Sequence, residues 1–396
     1  MKRARFFTAI VLAGLAPGLT AQTTPSIEER LLALERRVEA LTQENSKLKA
    51  QLGTPQEESP AAVQVKAAGR EKSLAVGGFL QGQGEFGGAA DSRWNDVRDR
   101  FFFRRARIHV AGTFAEHFDF KAEWDLQGSA FGAGVEQRVR ANEVFVNWHR
   151  YAFANLRMGQ LKPAFGAERL TSATKLSTIE RALFTDRLTD GRQLAVGAAG
   201  EWWDKKISYL TIVANGNGSN VSSNDNDKFS KSARITFTPL SAPEQKVTLG
   251  VNGLWTTDAG LSKPDLGLPG NRFTGSRRME GVDAQWMHGR LNLSAEWLKG
   301  RFRPSQASPS SRFSAEGWHA TIAYALVPQT FQVVFRHEQF DPNTAEPGNS
   351  WITNTFGLNY LIKGDDLKLS VNYLDGRTPE SASDAQRLLT RVQVVF

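Results

Sequence analysis

From Leu74 to the C terminus the side chains alternate in polarity from one residue to the next, and the stretch Phe118 to Gln127 shows the period most clearly. Phe118, Phe120, Ala122, Trp124 and Leu126 fall on one face of an extended chain, with Asp119, Lys121, Glu123, Asp125 and Gln127 on the other. The period recurs at Ala106, Ile108, Val110 and Phe114 against Arg105, Arg107, His109 and Thr113. It returns at Val247, Leu249, Val251 and Trp255, at Trp318, Ala320, Ile322 and Tyr324, and at Leu367, Leu369, Val371 and Tyr373. A soluble sandwich would bury the apolar face, whereas a pore would turn that face to lipid and the charged face to water.

Sixteen such segments are predicted, beginning near residues 74, 99, 117, 138, 153, 192, 205, 229, 245, 278, 290, 313, 329, 352, 366 and 387. Each is near the ~10 residues that a tilted membrane strand needs. Short turns fall near Ala115-Glu116, Arg150, Asp204, Pro239 to Glu244, His288-Gly289, Val327-Pro328 and Lys363 to Asp365. Longer polar loops separate them, the longest over 163–191. Outer-membrane barrels show this asymmetry, with short periplasmic turns and longer external loops. The last segment alternates through Leu388, Thr390, Val392 and Val394 and ends in Phe396, a terminus similar to the assembly signal of outer-membrane proteins. The expectation is an all-β, 16-stranded antiparallel transmembrane β-barrel over 74–396.

Other periods precede it. Residues 1–21 combine Lys2, Arg3 and Arg5 with an apolar run from Phe6 to Ala16 and a Pro17-Gly18 break, the pattern of a cleaved secretory signal. No other apolar run approaches the ~20 residues of a spanning helix, so membrane residence must come from strands. Over 22–52 the spacing becomes a heptad: Ile27, Leu31, Leu34, Val38, Leu41, Asn45, Leu48 and Leu52 repeat at alternating intervals of four and three. This predicts an N-terminal α-helical coiled-coil stalk, with Asn45 as a register-setting buried amide, or alternatively a helix packed on its own chain. Residues 53–73, with Pro55 and Pro60, read as a linker.

Composition sharpens this picture. The 396 residues include 35 glycines, 25 phenylalanines and 10 tryptophans but no cysteine, while the mean hydropathy is negative. An aromatic-rich chain that is not apolar overall suits a wall wetted on one side and greasy on the other. The formal net charge is +8, and loss of the leader would leave about five positive charges. The basic residues stand singly among apolar ones, with no dense basic run or nucleic-acid module, so nucleic acid is not an expected partner. Gly82-x-Gly84-x-x-Gly87 fits a dinucleotide fingerprint on paper, yet no amphipathic helix follows it. The histidines at 109, 117, 149, 288, 319 and 337 lack the spacing of a zinc site. A barrel lipase would need a serine, a histidine and an orienting group close together, which sequence alone does not assign. The expectation is a channel that is not an enzyme, without cofactor or metal.

Phe103-Arg104-Arg105-Ala106-Arg107 and the strand to Leu126 resemble the phosphate-selective porin O and P family. The likeness continues through Met158 to Gly166, Glu168, Leu170-Thr171-Ser172, Glu180-Arg181 and Gly191 to Val196. Pro163 and Ala164 stand in the reverse of the family's order, and Ala173-Thr174 delay the loop lysine, Lys175, by one position. The resemblance implies a homotrimeric 16-stranded barrel in outer-membrane lipid that conducts phosphate or related small anions.

The longest loop is the natural candidate to narrow the pore. With its flanks it carries Lys162, Arg169, Lys175, Arg181, Arg187 and Arg192 against Glu168, Glu180, Asp186 and Asp190. Alternation points Arg105, Arg107, Lys121, Arg234, Arg336, Lys368 and Arg391 toward water, and places Arg104 on the outer face near its strand's end. The same parity turns Asp119, Glu123, Asp125, Glu143, Glu201, Glu296 and Glu338 inward, so a solvated wall of mixed charge is the plain alternative. Arg105, Arg107, Lys121, Lys175, Arg181, Arg187 and Arg192 are the candidate pore-lining anion sites, because rings of arginine and lysine lower the barrier to anions and guanidinium forks match phosphate oxygens. Competing expectations are a general or sugar-conducting porin and a structural tether whose stalk contacts the cell wall.

Overall fold

The computed structural model describes residues 73–127, 139–305, 312–377 and 385–396, with Arg37 and Pro379 as isolated positions. The chain divides into two units, Met1–Glu58 and Ser59–Phe396. Of the first, only Arg37 is described, and it is helical and exposed. The leader and the heptads therefore lie outside the described residues, as does the linker up to Ser73.

Sixteen strands follow: β1 (Ser73–Gly87), β2 (Arg100–Ala115), β3 (Phe118–Asp125), β4 (Arg140–Tyr151), β5 (Ala154–Leu161), β6 (Gln193–Trp202), β7 (Ile207–Ala214), β8 (Ser230–Ala242), β9 (Gln245–Ser262), β10 (Arg272–His288), β11 (Leu291–Pro304), β12 (Phe313–Val327), β13 (Phe331–Asp341), β14 (Trp351–Lys363), β15 (Leu367–Arg377) and β16 (Ala385–Val395). Each pairs with its neighbours in sequence, and β1 closes antiparallel on β16, with Phe79 opposite Val395 and Gly87 opposite Arg387. Closure removes the free edges that an open sheet would present to hydrocarbon, where unpaired backbone groups are prohibitively costly.

The alternation becomes an inside and an outside. In β12, Trp318, Ile322 and Tyr324 are exposed while His319, Thr321 and Ala323 are buried. Connections at one rim span two to four residues, whereas those at the other span seven to 31. The short-turn rim carries an aromatic belt in which Tyr151 stacks on Phe153 at 5.3 Å and Trp202 on Tyr209 at 5.0 Å, as expected where a barrel meets the interface. The Gly82–Gly87 run lies within β1 and is followed by a 3-10 turn, Ser92–Trp94, with no phosphate-cradling helix.

Fifteen strand starts fall within two residues of the expected positions. The exception is β10, expected at 278 and found at Arg272. The added residues pair with the extended end of β9 on the long-loop side, where alternation of apolarity is no longer imposed by lipid.

Candidate functional site

The loop over 162–192, between β5 and β6, folds into the lumen. It departs from β5 just past Gly159, whose φ of +142° is one that side-chain-bearing residues rarely adopt. A Cβ there would lie 2.1 Å from the Val144 carbonyl oxygen, which explains the glycine in the Met158-Gly159-Gln160 run.

Apolar and polar contacts together draw the loop inward. Phe165, Leu183, Phe184 and Leu188, at most 1 % exposed, pack on inward-facing Leu254, Met279, Leu298 and Phe340. At its start, the Ala164 amide donates to Ser232 Oγ at 2.8 Å and the Gly166 amide to Asn252 Oδ1 at 3.2 Å. Helix α1 (Ala167–Leu170) begins against Glu296, whose carboxylate accepts from the Ala167 and Glu168 amides at 2.5 and 3.1 Å. Midway, Asn359 Nδ2 donates to the Ser177 carbonyl at 2.7 Å, and the Ile179 amide donates to Asn372 Oδ1 at 2.6 Å. Helix α2 (Leu183–Leu188) packs against β11, β12 and β13, with the Leu183 amide donating to Glu338 Oε1 at 2.7 Å. At the exit Asp190 pairs with Arg277 at 2.9 Å and Lys263 at 2.7 Å.

These anchors correct three expectations. Arg336, Lys368 and Arg391 point inward, but they hold the loop, and of the three only Lys368 also borders open space. Arg336 Nη1 donates to Thr178 Oγ1 and to the Glu180 carbonyl, both at 2.9 Å. Lys368 Nζ donates to the Thr174 and Leu176 carbonyls at 3.1 Å, and Arg391 donates to the Ile179 carbonyl. Backbone carbonyls satisfy these cations where the wall would otherwise leave them facing a covered surface.

Arg104 is also corrected. The pairing of β1 with β2 shifts between Gln81, opposite Arg105, and Gly82, opposite Phe103. Arg104 is thus the extra residue of a β-bulge, which turns two successive side chains inward. It is 5 % exposed and donates through Nε to Glu180 Oε1 at 2.9 Å. Glu180 also meets Arg391 at 2.5 Å and Arg105 at 3.8 Å. Burial alone would raise its carboxyl, but Arg104, Arg391 and Arg105 hold it well below the usual carboxylate range.

Between the loop and the wall from β1 to β4 runs a cavity of about 400 Å³. Six of the seven candidate residues line it: Arg105, Arg107 and Lys121 from the wall, and Arg181, Arg187 and Arg192 from the loop and its end. Arg104, Lys162 and Arg169 join them, making nine basic side chains against three acidic ones, Glu123, Glu143 and Asp186. Some charge is locally paired: Lys121 with Glu123 at 2.8 Å, Arg107 with Asp125 at 2.9 Å, Arg192 with Glu143 at 3.1 Å, and Arg187 with Asp265. Burial and the Arg192 guanidinium push the Lys162 ammonium down to about 7, against the opposing pull of Glu143. Burial and Arg181 bring Arg169 to about 10, which leaves it charged at neutral pH.

Lys175 is placed elsewhere. It lines a second cavity, of about 700 Å³, on the short-turn side of the loop. Lys368, Arg234, Glu168, Asp283, Glu296 and Asp365 share that chamber, so its charge is mixed. Leu170 borders both spaces. Arg104 and Arg169 stood within the resemblance and the loop's charge count, but only the bulge and the loop path bring them to the passage.

A closed sixteen-stranded antiparallel barrel, narrowed by a loop folded into its lumen, is the architecture of an outer-membrane channel. The sequence profile of phosphate-selective porin O and P matches residues 80–396. The chain belongs to this porin family, and its place is the outer membrane. It is 22 % identical to Porin O of Pseudomonas aeruginosa over 84 % of this chain and 91 % of that protein. Among solved structures its fold is similar to the outer membrane channel DcaP of Acinetobacter baumannii, with TM-score 0.57, 11 % identity, and coverage of 84 % of this chain and 99 % of that one. It is likewise similar to an anion-selective porin from Comamonas acidovorans, with TM-score 0.56, 11 % identity, and coverage of 82 % and 100 %.

Proposed function

We propose that this porin passes small anions by passive diffusion, with phosphate or a related oxyanion as the preferred solute. The observation that carries the reading is the excess of nine basic over three acidic side chains around the passage beside the loop. Seven of the nine are arginines, whose planar donors match oxyanion geometry. Arg105, Arg107, Lys121, Arg181, Arg187 and Arg192 act as the anion path, joined by Arg104, Lys162 and Arg169. Lys175 serves the chamber beyond. Many of these cations are bonded to carboxylates or carbonyls, which keeps an anion's hold weak enough for release.

The reading extends to the segment before the barrel. Residues 1–21 act as a cleaved leader, 22–52 as a coiled-coil stalk and 53–73 as a linker, with three barrels assembled side by side in outer-membrane lipid. The heptads and the family's architecture support this arrangement.

The test is a phosphate titration of chloride current through the purified protein in planar bilayers. Phosphate should reduce chloride current at concentrations far below that of chloride. Current that ignores phosphate would leave a general porin in its place.

A further inference from the structure

Two carboxylates and an imidazole meet where the constriction loop touches the wall. Glu168 belongs to α1, Glu296 to β11 and His319 to β12, and one ligand atom from each lies within 4.8 Å of the others. Glu296 and His319 are 3 % and 4 % exposed, yet all three border the 700 Å³ chamber, so a hydrated ion has a route to them from the pore. The His319 ring makes a single hydrogen bond, between Nδ1 and the Thr321 hydroxyl at 3.2 Å. Its other nitrogen, Nε2, has no hydrogen-bond partner among the described residues. A buried imidazole held by one hydrogen bond, with a nitrogen to spare and two carboxylates within reach of the ring, is how a metal-ligating histidine is presented.

Charge argues in the same direction. Like-charged carboxylates at this separation repel strongly when shielded from bulk water. Arg336 approaches Glu168 Oε1 at 3.2 Å, and among the described residues Glu296 accepts only from the Ala167 and Glu168 amides. Glu168 Oε2 is filled by the Ala182 amide at 3.0 Å and the Thr185 hydroxyl at 2.8 Å, but Glu168 Oε1 and both Glu296 oxygens each keep a second lone pair for a cation.

We propose that Glu168, Glu296 and His319 bind one divalent transition-metal ion, of which Zn²⁺ is the natural probe, and that the ion ties α1 to the barrel wall. Two oxygen donors and one nitrogen donor suit a cation of intermediate softness, with chamber water completing the shell. Tetrahedral zinc with bonds near 2.1 Å places its ligands about 3.4 Å apart, so, from separations within 4.8 Å, the three side chains close inward by at most about 1 Å on binding. Glu168 adjoins Arg169, which lines the passage, and the ion would therefore steady one of the arginines that anions meet. No sequence spacing announces such a site, because Glu168 and Glu296 stand 128 residues apart.

The experiment is a calorimetric titration of the purified, chelator-stripped full chain in detergent with ZnCl₂ alone. The expected result is one saturable site per chain, weakened at least tenfold in both Glu296→Gln and His319→Gln and unchanged in His288→Gln, a histidine at the short-turn rim. Zn²⁺ should also raise the thermal unfolding midpoint of the unsubstituted protein but not of His319→Gln. Absence of saturable binding, or affinity in either ligand variant unchanged from the unsubstituted protein, overturns the proposal. If Glu296→Gln fails to assemble, His319→Gln decides alone, since the one hydrogen bond of that ring lies within its own strand. The outcome is independent of anion preference, which is read from currents.

Discussion

Lys121 is the sharpest handle on the passage, because it stands on strand β3 and takes no part in holding the loop. Its Nζ lies 2.8 Å from Glu123 and 3.5 Å from Glu143, and its side chain is 28 % exposed to the lumen. Lys121→Gln removes one positive charge while keeping a polar side chain. A unit charge about 5 Å from a passing ion in water is worth roughly 0.8 kcal/mol, and screening at physiological salt cuts this to about half. An anion then loses about twofold in relative permeability and a cation gains about twofold, so the ratio of anion to cation permeability should fall roughly fourfold. Lys121→Glu doubles the change in charge and should lower the ratio by about sixteenfold on the same reasoning. Zero-current potentials across a planar bilayer under a KCl gradient give the ratio directly. Heat-modifiable gel mobility, unchanged from the unsubstituted protein, would show that the barrel is intact. A ratio that stays constant in both variants, or rises, would refute the placement of Lys121 on the ion path.

Lys162 should make anion passage pH-sensitive. With its ammonium at about 7, one positive charge disappears as pH rises through neutrality, so the permeability ratio should decline between pH 6 and 8, and Lys162→Met should flatten that dependence. Lys175→Gln, in the chamber beyond the loop, should change the ratio less than Lys121→Gln does in the same bilayer assay. Asp190→Ala leaves Lys263 and one face of the buried Arg277 without their carboxylate. Breaking such a buried pair costs about 3 kcal/mol, to be seen as a lower thermal midpoint by circular dichroism and as noisier single-channel current.

The barrel was legible because lipid and water impose opposite demands on adjacent side chains. Phe118 to Asp125 satisfies that rule residue by residue, and so does the alternation that ends at Phe396. It lapses where neither solvent dictates polarity. Arg272 to Arg277 extends β10 on the long-loop side with no alternation of apolarity to announce it. The Arg104 bulge is invisible to a strict count of two, since one extra residue in β2 reverses parity locally. Parity did place Arg336, Lys368 and Arg391 on the inner face. Each of them bonds a main-chain carbonyl of a loop more than 150 residues away, and a carbonyl carries no residue-type signature. The same reason hid the division between Lys175 and the other six candidates: the direction of a loop lysine depends on the path of the backbone, which here is fixed by Asn359, Asn372 and Glu338 on distant strands.

The most direct test of the central claim is the zero-current potential of the unsubstituted protein in a planar bilayer under a tenfold KCl gradient at neutral pH. An arginine-dominated passage predicts a potential on the chloride side, moving toward the ideal limit of about 59 mV for a tenfold gradient of a univalent ion. A potential of the opposite sign, favouring potassium, would contradict it.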